Sequence, residues 1–105
     1  MQVSAFHTIL KGLLLTVLLS VTACETAPPV QEMSDARQAI AVAREAGAAE
    51  RAAIHLSAAE KYLESAEEAL SQREYSEARR DAKQAKVKAL DALKASEKSS
   101  SVDPE

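Results

Sequence analysis

Tryptophan is absent from the 105 residues, Phe occurs once and Tyr twice. Gly occurs twice, Pro three times and Cys once. A sandwich or barrel needs aromatic and β-branched residues with frequent turn punctuation, so these scarcities argue against one. A disulfide framework within one chain is excluded by the single cysteine, Cys24. The length suits one small domain and holds neither a dinucleotide-binding doubly wound sheet nor a β/α barrel. Alanine takes the place of the missing residues: there are 22, and Ala is the best intrinsic helix former. The expected fold class is all-α, a short helical hairpin or a three-helix antiparallel bundle, Ala-rich.

Residues 12–23 read GLLLTVLLSVTA without a charge, and Lys11 stands just before them. A positive flank, a short apolar run and a small-residue exit describe a secretory signal peptide, here over 1–23. The run is shorter than the roughly 20 apolar residues a spanning helix needs. Its exit, Val21-Thr22-Ala23-Cys24, resembles the lipobox of bacterial lipoproteins. That resemblance implies cleavage before Cys24 and acylation of Cys24, palmitate included, so that membrane lipid becomes the chain's first partner. Two or three acyl chains anchor stably where one is marginal. Residues 24–33 then form the lipidated cysteine and a tether, kept extended around Pro28 and Pro29. In Gram-negative lipoproteins an Asp after the acylated cysteine tends to retain the protein in the inner membrane. Glu25 stands there instead, so the resemblance implies the outer membrane, with the domain facing the periplasm.

The helical domain is expected over 34–97. Ser34 or Asp35 offers an N-cap for a first helix to about Ala46, which Gly47 terminates or kinks. A second runs from about Arg51, or already from Ala48, to Gln72. Ser76 caps a third, which reaches about Ser96, and 98–105 read as a flexible polar tail. Apolar and small residues recur in 3-4-3-4 spacing on each helix. The stripes are Met33, Ala36, Ile40, Ala43 and Gly47; Leu56, Ala59, Leu63, Ala66 and Leu70; and Tyr75, Ala78, Ala82, Ala85, Ala89 and Ala92. An Ala stripe buries little area per residue. So thin a core predicts reliance on self-association or another partner.

The order Ser34-Asp35-Ala36-Arg37-Gln38-Ala39-Ile40, Ala43 to Ala48, Leu56 with Ala59-Glu60-Lys61, Leu63, Ala66, Ala69-Leu70 and Tyr75 to Arg79 with Ala82 and Ala85 resembles the bacterial envelope family of domain of unknown function 4398. The likeness runs from about Val30 to Ala95. It implies a small helical domain behind a lipoprotein signal and transfers no catalytic residue. Some members carry an OmpA-like peptidoglycan-binding domain, for which this chain is expected to be too short. A second, local resemblance links Ala69-Leu70, Tyr75, Ala78, Ala82 and Ala85 to the inter-helix turn of a tetratricopeptide repeat. Arg73 stands where that repeat usually has Gly. Solenoids need about three repeats, so this reads as shared hairpin packing.

No constellation for catalysis stands out, and no enzyme, metal or cofactor is expected. In the expected mature chain His55 has no second His, and once Cys24 is acylated no Cys, to share a metal with. No nucleophile elbow, P-loop or dinucleotide fingerprint occurs. Glu60, Glu64, Glu67 and Glu68 read as a solvated acidic stripe, pairing weakly with basic residues across the helical hairpin. The candidate partner surface comprises Arg79, Lys83 and Lys86 with the off-stripe Val87, Leu90 and Leu93. It suits an anionic envelope component, an envelope protein or a second copy. Without interleaved aromatics and with a mature charge of 12 Lys+Arg against 16 Asp+Glu, nucleic acid is not an expected partner. No small-molecule substrate is evident. The expected function is that of a lipid-anchored cell-envelope module that binds or scaffolds. The alternative is an Ala-zipper-like structural lipoprotein that self-associates and spaces the outer membrane from the cell wall. The ending Val102-Asp103-Pro104-Glu105 lacks the basic residue by which such lipoproteins are cross-linked to peptidoglycan.

Overall fold

The structure is a computed structural model that describes residues 2–21 and 27–102, with side chains described over 3–13 and 27–101. Five helices follow in order: α1 (Gln2–Val21), α2 (Val30–Glu45), α3 (Ala48–Arg51), α4 (Ala53–Ser71) and α5 (Tyr75–Val102). There is no strand among the described residues. The N-terminal segment forms α1, which touches none of the other helices among the described residues. Among the described residues no helix is long and apolar enough to cross a membrane.

The bundle consists of α2, α4 and α5, with α3 as a one-turn link. Its three stripes are those the spacing predicts. Met33, Ala36 and Ile40 of α2, Ala59 and Ala66 of α4, and Ala78, Ala82, Ala85, Ala89 and Ala92 of α5 are all buried. They form two layers. Met33, Ala36, Ala66, Ala82 and Ala85 pack at one end. Ile40, Ala43, Ala48, Leu56, Ala59, Ala89 and Ala92 pack at the other. Small side chains let the axes approach closely, and Met33, Ile40 and Leu56 supply the bulk.

Polar pairs give the helix directions. Arg37 meets Glu67 at 3.1 Å and Arg44 meets Glu60 at 2.6 Å, so α2 and α4 run antiparallel. Arg79 lies 3.4 Å from Glu32 and Lys86 lies 3.9 Å from Asp35, so α2 and α5 run parallel. The Ser65 hydroxyl donates to Asp81 at 2.7 Å across the antiparallel pair α4 and α5.

Several ends depart from the sequence reading. Helix α2 begins at Val30 after Pro29, not at the Ser34 or Asp35 cap. A first-turn N–H has no helical partner anyway, so proline costs little there, and the early start buries Met33. Residues 30–33 therefore belong to the bundle and not to the tether. Gly47 ends α2 with φ 86°, its N–H bonded to the Arg44 carbonyl. The second helix begins at Ala48 but is broken at Ala52, which has φ −143° and ψ 41°. Helix α4 ends in a Schellman turn: Glu74 N–H bonds to Ala69 O and Arg73 N–H to Leu70 O. The left-handed residue this turn needs is Arg73, at φ 62°, in the place where the tetratricopeptide-like turn has Gly. Helix α5 runs six residues past Ser96 to Val102, where the sequence reading places a tail from 98. Residues 103–105 lie outside the described residues, as does Cys24.

Candidate functional site

The basic residues of α5 divide between two faces. Arg79 and Lys86 sit on the edge facing α2, paired with Glu32 and Asp35. Arg79 also donates to the Ala27 carbonyl at 3.1 Å. It thus ties the chain entering α2 to the second turn of α5, a contact with no local sequence signal. The expected pairing of the α4 glutamates with α5 cations is not what forms. Glu67 and Glu60 turn to Arg37 and Arg44 of α2 instead. In a three-helix bundle α4 borders α2 as well as α5, and α2 presents arginines to one neighbour and carboxylates to the other. A hairpin picture leaves that out.

The six candidate surface residues are likewise divided. Leu93 is half-buried and packs on the Ile40–Leu56–Ala89 layer. Val87 and Leu90 remain exposed, and so does Lys83. Lys83, Val87, Leu90 and Lys94 follow in 4-3-4 spacing on the side of α5 opposite its Ala stripe, and Arg80 and Lys98 extend that line. Among the described residues Lys83, Lys94 and Lys98 meet no carboxylate, whereas Arg80 lies 3.6 Å from Glu77 and 3.9 Å from Asp81. The Ala stripe of α5 is used inside one chain.

Two shallow depressions are found on the bundle among the described residues. One, at the α4–α5 turn, is lined by Ser65, Glu68, Gln72, Glu74 and Glu77. There the Glu74 carboxyl is raised from its ordinary value. Its hydrogen bond with Glu77 is the main cause, followed by desolvation and the charges of Glu77 and Glu68. The four-residue spacing from Glu64 to Glu68 signals the α4 acidic stripe, but Glu74 and Glu77 join it only through the turn. The other depression lies by Arg51, Ile54, His55 and Ala95, and His55 is exposed. Among the described residues no three His, Cys, Asp or Glu side chains converge to hold a metal ion.

The fold and these surfaces define a small all-α bundle domain, held by an Ala core and by ion pairs centred on α2. Residues 31–103 match the family described as Domain of unknown function (DUF4398). The chain belongs to that family, and the match takes in α2 through α5. No curated protein and no solved structure matches the chain.

Proposed function

We propose that the protein is a lipid-anchored module of the bacterial cell envelope that binds or scaffolds and is not an enzyme. Cys24 carries the anchor, and the bundle faces the periplasm from the outer membrane. The observation that carries this reading is the position of Cys24. It follows an apolar, uncharged run in the sequence Val21-Thr22-Ala23-Cys24 and stands three residues before Ala27, whose carbonyl is held by Arg79. Three residues span at most about 11 Å, so an acyl anchor at Cys24 keeps the bundle close to the bilayer surface. The outward face of α5 is then the surface available for a partner. Cys24→Ser tests the anchor. Acyl labelling should disappear and the protein should leave the membrane fraction, whereas unchanged labelling and fractionation refute the reading.

A further inference from the structure

We infer that the outward face of α5 docks onto an anionic lipid surface, so that the bundle lies along the membrane with Val87 and Leu90 among the headgroups. This rests on the anchored reading above and goes beyond it by naming what covers the face.

Charge segregation is the first support. Helix α5 carries seven Lys+Arg against four Asp+Glu, whereas α4 carries one Lys against four Glu. The outer side of α4 presents Ile54 with Lys61, Glu64 and Glu68, and that of α2 presents Val42 with Gln31, Ser34, Gln38 and Glu45, all exposed. Only α5, among the described helices of the bundle, sets two exposed apolar side chains between unpaired cations, with half-buried Asp91 on one margin and exposed Glu97 on the other. An amphipathic helix lying in a membrane interface has this composition on its contact side.

The second support bears on the simplest competitor. A two-fold pairing of α5 on α5, centred between Val87 and Leu90, sets one copy's Lys83 against the other's Lys94 next to the apolar centre and Arg80 against Glu97 further out, so the like charges nearest the centre disfavour that dimer. An anionic surface instead neutralises Lys83, Lys94 and Lys98 together.

The third is position. Arg79 holds Ala27 against the second turn of α5, and a three-residue tether keeps an anchor at Cys24 within about 11 Å of that point. Each cation near an anionic bilayer strengthens binding only about five-fold, which is weak for a free domain. Tethering raises the effective concentration enough to make such a weak face sufficient.

The chain lacks Trp, so Val87→Trp provides a single indole on the docking face and Lys61→Trp one on the outer face of α4. Each full-length variant is taken from detergent into vesicles with brominated acyl chains, made of phosphatidylcholine alone or with phosphatidylglycerol. Flotation is read in parallel with indole quenching. Quenching of the Val87→Trp chain is expected only with phosphatidylglycerol. High salt should abolish it, and the added pair Lys83→Gln and Lys94→Gln should shift docking about twenty-five-fold toward the undocked form, at about five-fold per cation. The Lys61→Trp chain should stay unquenched. A chain that floats while its indole at either position is quenched alike, or without regard to lipid charge or the lysines, overturns the docking and leaves the anchor standing. Protection of the Val87→Trp indole that grows with protein concentration and needs no vesicles assigns the face to a second copy and also overturns it. A chain that does not float overturns both readings.

Discussion

Two residues of the bundle have positive φ, Gly47 at 86° and Arg73 at 62°. They make opposite predictions under substitution. Both stand just past a helix end, where a left-handed residue closes the turn, and the Arg73 turn has both hydrogen bonds of a Schellman motif, Glu74 N–H to Ala69 O and Arg73 N–H to Leu70 O. A side chain in that conformation crowds the following carbonyl and costs about 1–2 kcal/mol. Glycine avoids that cost but loses about 0.5–1 kcal/mol more backbone entropy on folding. The Arg73 side chain is exposed and enters no ion pair among the described residues, so Arg73→Gly should stabilise the bundle by a net of about 0.5–1 kcal/mol. For a domain of this size 1 kcal/mol moves Tm by about 4–8 °C. A Cβ at Gly47 meets only the Arg51 guanidinium, at 3.8 Å. That is an ordinary contact, so Gly47→Ala loses stability through torsion alone, by about 1 kcal/mol. Thermal melts followed by far-UV circular dichroism measure both. An Arg73→Gly chain that melts below wild type, or a Gly47→Ala chain that melts with it, refutes the turn geometry.

Other substitutions test the core and the acidic turn. Ala85→Glu places a carboxylate among Met33, Ala36, Ala66 and Ala82, where an unpaired buried charge should cost at least about 3 kcal/mol; Lys88→Glu, on a half-buried margin, should cost far less, and equal urea midpoints count against the stripe. Glu74 has a raised affinity for its proton in the folded state, so its stabilising contribution is present below the carboxylate pKa of the unfolded chain and is lost as pH rises through the folded value. Glu74→Gln should therefore raise the urea midpoint at neutral pH more than at acid pH, and a gain confined to acid pH shows the sign to be wrong.

The core was legible because its spacing is strict. Every small residue of the α5 stripe from Ala78 to Ala92 is fully buried, and Gly47 marks the end of α2 as its freedom at positive φ requires. The stripe continues one step further than apolar pattern reading allows, to Ser96. That hydroxyl donates to the Ala92 carbonyl at 2.9 Å, so a polar residue occupies a buried position with its hydrogen bond satisfied inside its own helix. The serines beyond it look like tail composition, yet nothing from Glu97 to Val102 is Gly or Pro, and α5 continues. Surface residues were harder to read, because sharing one face of a helix does not say which neighbour that face meets. Arg79, Lys83 and Lys86 do lie together by spacing, but α2 engages the first and third and leaves Lys83 outward. Leu93 was separable from Val87 and Leu90 only once α2 was in place to cover it.

A seam of alanines raises the question of what holds the helices in register. Sliding α5 by one heptad again sets Ala against Ala, so the stripe discriminates poorly between registers. The ion pairs discriminate somewhat more. A seven-residue slip along α2 brings Lys86 to Glu32, where Arg79 stands, but sets Leu93 against Asp35 in place of Lys86. Likewise, a slip of α4 offers Glu60 to Arg37 and Ala53 to Arg44. Each slip keeps one pair and loses another, a difference of roughly 0–1 kcal/mol for exposed charges. That is too little to select a single register, and the connections do the rest. The three residues between α4 and α5 are fixed by the Schellman hydrogen bonds, and α2 joins α3 through Ala46 and Gly47 alone. Links so short cannot absorb a displacement of seven residues, about 10 Å along a helix. The turns therefore set the register, Met33, Ile40 and Leu56 fill the layers they define, and the ion pairs orient α2 between its neighbours. Lys83, Lys94 and Lys98 belong to none of these tasks, so the docking proposed for the outward face of α5 draws on side chains that the fold itself does not use.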